Sequence, residues 1–262
     1  MGVKSDKLKV ILLWLVFLFP LLVLVLYSFS GQWAFPSLFP DTVNFRTFVY
    51  LKENAGQIFI HIRSSFVYSI LAVILSVVYS LLPAEFLSRQ DFTGKKIIES
   101  LLLAPAVLPV MTFSVGIHLM FIRLGLADTH FGVALILSVY SYPYMLRALI
   151  SGYKTIHPDS IVCARNLGAG FWQILWEIEI PMLLPALTAG ASIVFLVAFS
   201  DYFLVFLIGG GSVPSYSGYL FPFLNSTDWS LASGLTLLFI IVPILLFLVL
   251  DLTVIRLYRK WL

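Results

Sequence analysis

The sequence predicts an all-α membrane protein with six transmembrane helices, and three observations carry that prediction. Apolar residues make up 60% of the 262 residues and charged residues only 11%, with a mean hydropathy of +1.01. A soluble domain needs about a quarter of its residues charged to face water. Six stretches hold no Asp, Glu, Lys or Arg: Val10–Phe29, Ser64–Ala84, Ser100–Ile122, Thr129–Leu146, Ile180–Ser200 and Trp229–Leu250. Each is near or above the roughly 18 residues that cross about 30 Å of hydrocarbon. Their Leu, Ile, Val and Phe content demands helix, since lipid satisfies no backbone N–H or C=O. The apolar excess excludes a disordered chain, and a single cysteine, Cys163, excludes a disulfide scaffold.

Taken in order, residues 1–62 hold the first transmembrane helix, about 8–29, and an outer loop. Lys4, Lys7 and Lys9 precede an apolar run longer than the usual 7–15-residue core of a signal peptide, and no A-x-A site follows. An uncleaved signal anchor is expected. The outer segment carries turn signals at Ser30-Gly31, Phe35-Pro36 and Phe39-Pro40. Its aromatic-rich part, Asn44–Ile62, is expected to form a short helix lying against the bundle. Pro105 and Pro109 stand four apart in the third span and should kink it on one face. The fourth span is the shortest and should continue past Arg147, whose stem can snorkel. Residues 209–228, with Gly209-Gly210-Gly211 and Pro214, are expected to form an outer loop, re-entrant or not. No two glycines are four apart, so a GxxxG packing face is absent.

Charge placement sets the orientation. With the N-terminus inside, the inner segments hold Lys4, Lys7, Lys9, Arg89, Lys95, Lys96, Arg147, Lys154, Arg165, Arg256, Arg259 and Lys260. That is twelve of the sixteen basic residues, leaving Arg46, Lys52, Arg63 and Arg123 outside. Both termini are therefore expected in the cytoplasm. Tyr27, Trp33 and Trp229 suit the outer interface, and Trp172, Trp176, Tyr258 and Trp261 the inner one. Glu85 with Arg89, and Asp251 with Arg256, are expected to pair at the inner interface.

The chain lacks the usual signatures of an enzyme. There is no G-x-x-x-x-G-K-[ST], and Gly94-Lys95 has neither the upstream glycine nor the following hydroxyl. His61, His118, His130 and His157 are scattered without a zinc-protease spacing, and Ser215 and Ser217 lie outside any G-x-S-x-G. A chain that is not an enzyme is expected, with no nucleic-acid partner.

The informative stretch is the inner segment between the fourth and fifth spans. Pro158 fits the first position of a helix, and Asp159 complements the helix dipole in its first turn. That helix should run to about Leu167, with Gly168 as a left-handed cap and Gly170 keeping the turn open. A second helix, about Phe171–Glu179, should end at Pro181. The first helix presents Ile161, Ala164, Arg165 and Gly168 on one face. Periodicity alone is met equally by an interfacial hairpin that only joins two spans.

Pro158, Cys163-Ala164-Arg165, Leu167-Gly168-Ala169, and Ile180-Pro181 with Pro185 together resemble the EAA loop of ABC-transporter permeases. The resemblance implies an ABC type I importer permease fold over 63–252, a coupling helix at about 158–168, and a cytoplasmic tail over 253–262. It implies that Ile161, Val162, Cys163, Ala164, Arg165, Asn166, Leu167, Gly168 and Ala169 contact an ATPase subunit through the 158–181 loop. Two departures stand out: Val162 occupies the place of the motif's usual Glu, and Cys163 replaces its first Ala. The implied partners are two ATPase subunits that bind ATP and Mg, so that no cofactor is expected in this chain. A second permease subunit, an extracytoplasmic solute-binding protein and the bilayer complete the set, in a prokaryotic inner or plasma membrane. Similarity to polyamine and ferric-ion importers implies a heterodimer.

Within the fifth span, Ala198-Phe199-Ser200-Asp201-Tyr202-Phe203 places a carboxylate in an apolar helix. Read as part of one apolar helix, a central Asp costs roughly 2.5–3.5 kcal/mol to insert and tends to face a cavity or a partner. Phe199 to Gly211 resembles permeases of polyamine, thiamine and ferric-ion importers. Asp201 is open to two roles: lining the path of a cationic solute, with Tyr202, Ser192 and Thr188 as further lining, or a packing hydrogen bond. The alternative class is an ion-coupled secondary transporter with Asp201 as its ion site, although no inverted repeat is visible. Polyamine, thiamine, a metal ion, and an oxyanion or phosphonate all stay open as the solute.

Overall fold

The structure is a computed structural model. It describes the backbone of residues 2–261 except 32, 34–36, 38, 39 and 41, and side chains over 14–249 with the same exceptions. The expected turn signal at Phe35-Pro36, and Phe39 of the signal at Phe39-Pro40, therefore lie outside the described residues. So do the side chains of Lys4, Lys7, Lys9, Asp251, Arg256, Tyr258, Arg259, Lys260 and Trp261.

The described residues are helical, with no strand beyond an isolated bridge between Ser30 and Val43. In order they form α1 (Gly2–Ser28), α2 (Arg46–Glu53), α3 (Ala55–Arg89) and α4 (Lys95–Leu103). A 3₁₀ turn (Ala104–Ala106) leads to α5 (Val110–Arg123), α6 (His130–Thr155), α7 (Pro158–Asn166) and α8 (Phe171–Ile174). A π-turn (Leu175–Glu179) then runs into α9 (Ile180–Ser200), followed by α10 (Phe203–Gly209), α11 (Tyr216–Leu224) and α12 (Trp229–Trp261).

Among the described residues, four helices are long and apolar enough to cross a membrane: Ala55–Arg89, His130–Thr155, Phe171–Ser200 and Trp229–Val249. A fifth span is broken, its halves Lys95–Ala106 and Val110–Arg123 meeting at 85°. The first expected span is helical as α1, with Trp14–Ser28 as its described apolar part. The fourth runs on past Arg147 to Thr155, as its charge position suggested.

Three local expectations need correction. The third span is broken, its halves bent by 85°, where only a one-sided kink was expected. Neither Pro105 nor Pro109 can donate a backbone hydrogen bond, and Pro109 takes an extended ψ of 124° that ends one helix and caps the next. The second elbow helix does not stop at Pro181: Phe171–Ser200 is continuous. The wide turn at Leu175–Glu179, where the Ile180 N–H donates to the Leu175 carbonyl, makes room for the proline ring without a break. The stretch from 209 to 228 is more than a loop, since it contains α11, with Tyr216, Ser217 and Leu220 buried.

The chain divides into two compact units. The first comprises residues 1–61 and 216–243. In it the expected short outer helix is α2, shorter than its sequence signal because α3 already begins at Ala55. Thr47 of α2 meets Ser230 Oγ at 2.8 Å, and a Cβ on Gly234 would stand 2.1 Å from Thr47 Cγ2. Tyr50 and Tyr219 share a hydroxyl–hydroxyl bond of 3.0 Å, Tyr216 donates to the Leu235 carbonyl at 2.8 Å, and Arg46 pairs with Asp228. Tyr27 stacks on Trp33 with ring centroids 4.3 Å apart.

The second unit comprises residues 62–215 and 244–262. Its axis is α6, buried along most of its length and packed antiparallel against α9. The two backbones approach through small residues: a Cβ on Gly152 would lie 2.5 Å from Ala186 Cβ, and one on Gly190 would lie 2.7 Å from Met145 Sδ. One glycine on each helix thus does what a GxxxG pair does on one helix. One apolar cluster joins Tyr68, Phe121, Ile136, Leu204 and Ile208; a second joins Leu87, Leu149, Tyr153, Ile161, Ile174 and Leu183 at the elbow end of α6. Serines 65, 69, 76 and 80 are fully buried on α3, and Ser76 donates to the Ser138 carbonyl of α6 at 3.2 Å.

Candidate functional site

The inner segment folds as a helix, a glycine turn and a second helix. Pro158 opens α7, where its missing N–H costs nothing, and Asp159 sits in the first turn. The end of α7 is a complete Schellman motif. The Gly168 N–H donates to the Arg165 carbonyl at 3.0 Å, and the Ala169 N–H reaches back to the Ala164 carbonyl at 3.0 Å. Gly168 has φ +89°, the left-handed conformation expected of it, and a Cβ there would meet nothing within 4 Å. Any residue but glycine at this position is strained by its backbone alone, with no steric clash to confuse the effect.

The nine elbow residues divide into two faces. Ile161 is buried and Ala164 and Ala169 are half-buried against the elbow-end cluster, which includes Ile174 and Leu183. Val162, Cys163, Arg165, Asn166, Leu167 and Gly168 are exposed, Leu167 to 89% and Val162 to 54%. Phe171 and Trp172 extend this apolar surface past the turn. Apolar groups at the tip of a helical hairpin gain by leaving water. The elbow is therefore anchored inside by Ile161 and offers outside a small apolar knob with Arg165 beside it.

Sequence reasoning missed what holds the elbow from below. Glu85 and Arg89 were expected to pair, and they do; the same guanidinium also donates to Glu179 Oε1 at 2.8 Å and lies 5.2 Å from the centroid of the Tyr153 ring. Glu179 is 3% exposed. A glutamate two residues before a proline, at the inner end of an apolar run, was the available signal. Its partner ninety positions earlier was not readable.

The candidate solute-path residues lie along α9 and in the break that follows it. α9 ends at Ser200, and Asp201, with an extended ψ of 121°, lies in the break before α10. Its Oδ1 accepts the Leu204 N–H at 2.7 Å, so the carboxylate caps the N-terminus of α10. The expectation of an acid inside an apolar helix is corrected here: Asp belongs to the small set of residues that satisfy orphan N–H groups at a helix start. Tyr202 stacks on Phe206 with centroids 5.6 Å apart. Thr188 donates to the Leu184 and Pro185 carbonyls of its own helix at 2.9 and 3.0 Å, and Ser192 lies one turn further on, half-buried. His118, on α5, has a buried Nδ1 with no partner among the described residues. No cluster of metal-ligating side chains occurs among the described residues.

Comparison with known proteins bears on the whole chain. The profile of the family described as "Binding-protein-dependent transport system inner membrane component" matches residues 4–261. The diacetylchitobiose uptake system permease protein NgcG of Streptomyces coelicolor is 25% identical over 200 residues, covering 74% of this chain and 65% of that protein. The molybdenum transport system permease protein ModB of Escherichia coli K12 is 30% identical over 143 residues, 48% of this chain and 61% of that one. The sulfate transport system permease protein CysT of the same organism is 28% identical over 151 residues, 53% of this chain and 54% of that one. The chain thus spans 54% to 65% of the length of these relatives. In fold it matches a chain of a bacterial ABC transporter involved in import of the acidic polysaccharide alginate, with a TM-score of 0.70 at 17% identity. That match covers 95% of this chain and 94% of the other.

Proposed function

Because the chain belongs to the family of binding-protein-dependent transport system inner membrane components, we propose that it is the membrane permease subunit of an ATP-driven importer. In this reading it forms half of a translocation path for a small polar solute. It has six spans with both termini in the cytoplasm of a prokaryotic plasma membrane. The broken α4–α5 pair counts as one span and α1 as another. A second, homologous permease supplies the other half. Two ATPase subunits grip the 158–181 elbows, and a solute-binding protein outside delivers the cargo. The relatives named above belong to uptake or transport systems for diacetylchitobiose, molybdenum and sulfate. One family thus serves unlike solutes, so the delivering protein is where selectivity is expected to lie.

The observation that carries this reading is the elbow: a short helix with a complete glycine cap, anchored by Ile161, presenting Val162, Cys163 and Leu167 to water. Without the motif's usual Glu, its docking is expected to be mainly apolar. Gly168→Val tests it. An L-residue in the left-handed region costs roughly 1–2 kcal/mol, and a branched one strains the turn further. The variant should insert normally while the assembled complex loses the ATP hydrolysis stimulated by its solute-loaded binding protein. Undiminished stimulation would count against the elbow as the coupling element.

A further inference from the structure

Arg89 is the last residue of α3, and beyond a partner on its own helix it gathers two other elements. Its Nη2 donates to Glu179 Oε1 at 2.8 Å, its Nη1 to Glu85, and its guanidinium carbon stands 5.2 Å from the centroid of the Tyr153 ring on α6. Glu179 closes the π-turn, two residues before Pro181. In this turn the regular i→i−4 bonding has lapsed, and the proline that follows has no N–H to restore it. The turn lies where a displacement of the elbow would enter the helix from Phe171 to Ser200. Arg89 bridges the turn from outside the helix.

We propose that Arg89 is a positioning residue that, through Glu179 and Tyr153, makes the elbow, α9 and the end of α3 move as one body. Displacement of the elbow then reaches the bundle and is not absorbed by bending at the π-turn. This rests on the reading of the elbow as the part gripped by the ATPases. A buried ion pair is weak evidence for stability, because well-packed apolar residues often replace one without loss. What apolar replacements lack is direction: a planar guanidinium holds two carboxylates at fixed angles, which a flexible side chain does not.

The test uses the complex purified with its ATPases, in a Cys163→Ser background carrying Gln173→Cys on the elbow and Leu82→Cys on α3. Both native side chains are exposed. Spin labels at the two cysteines report the elbow-to-α3 distance without nucleotide and with ATP plus vanadate. With Arg89 intact the distance stays fixed between the two states. With Arg89→Met/Glu179→Leu, which keeps the packing and removes the ion pair, the distance shifts or broadens when nucleotide is added. Should that double variant fail to assemble, Arg89→Lys decides: it keeps the charge without the planar fork, and the same nucleotide-dependent shift is expected. A fixed distance in the assembled variants, or a shift with Arg89 intact, overturns the clamp. The Gly168→Val assay is the separate arm. If Gly168→Val loses stimulated hydrolysis and the label distances stay fixed in the Arg89 variants, only the clamp is overturned. If Gly168→Val keeps stimulated hydrolysis, the elbow reading fails and the clamp falls with it.

Discussion

Two proline pairs with the same spacing meet opposite fates in this chain. Pro105 and Pro109 break a helix, and the pieces meet at 85°. Pro181 and Pro185 stand in a helix that continues from Phe171 to Ser200. The missing hydrogen bonds are alike in number; the surroundings are not. Around the first pair the turn Ala104–Ala106 packs on α6, but Val107 just after it is 82% exposed, and Leu108 and Met111 also face outward, so little in this chain holds the helix straight from Val107 to Met111. Around the second pair, Leu183 is buried, Ala186 lies against Gly152, and Gly190 lies against Met145 and Ala148 of α6. The π-turn just before Pro181 supplies the room its ring needs. Proline marks where a helix can break, and packing against a neighbour decides whether it does.

The largest effect that would break this comparison is expected from Gly190→Leu. The new Cβ would stand 2.7 Å from Met145 Sδ and 3.1 Å from Ala148 Cβ. Forcing α9 off α6 should cost on the order of 3 kcal/mol, the upper part of the overpacking range. A melting temperature lowered by several degrees in detergent is expected, and a melting point equal to the parent's would contradict the account. Next comes Pro105→Ala/Pro109→Ala. Each replaced proline removes a helix penalty of up to about 3 kcal/mol, so the halves of the broken span should open out. In a Cys163→Ser background, spin labels at Leu101→Cys and Leu119→Cys, both exposed in the parent, should move apart; an unchanged distance would show that something other than proline sets the bend.

Asp201 sharpens the comparison, because α9 ends there with no proline at all. As a helix cap, Asp201→Ala should cost about 1 kcal/mol, while Asp201→Asn, an equally good cap, should cost little. Slowed uptake in Asp201→Asn with stability intact would assign the carboxylate to the solute path as well. The smallest effect is expected at Asp91, whose carboxyl is held below its usual range by the hydrogen bond from Lys95. The Asp91 carboxylate lies in solvent, so Asp91→Asn should leave thermal stability unchanged at ordinary salt.

Much of the fold was legible because lipid leaves the chain few options. Long uncharged runs located the helices, and Gly168 with Pro158 located the elbow, since both residues impose backbone geometry by themselves. What escaped the sequence depends on neighbours. The straightness of α9 is set by Gly152 and Met145 on another helix. The burial of Glu179 is made tolerable by Arg89, ninety positions away. Asp201 was read by its charge when its short side chain, reaching the Leu204 N–H, was the feature that mattered.

The central claim is that the elbow between α6 and α9 faces the cytosol and is held there by a separate ATPase. Cys163 is the only cysteine in the chain and is exposed on that elbow, so no substitution is needed to test it. Inside-out membrane vesicles containing the complex would be treated with a membrane-impermeant thiol-to-amine crosslinker. The account predicts a covalent adduct between Cys163 and an ATPase subunit, weakened by Gly168→Val. A Cys163 that reacts only from the opposite face of the membrane, or that never joins an ATPase, would contradict it.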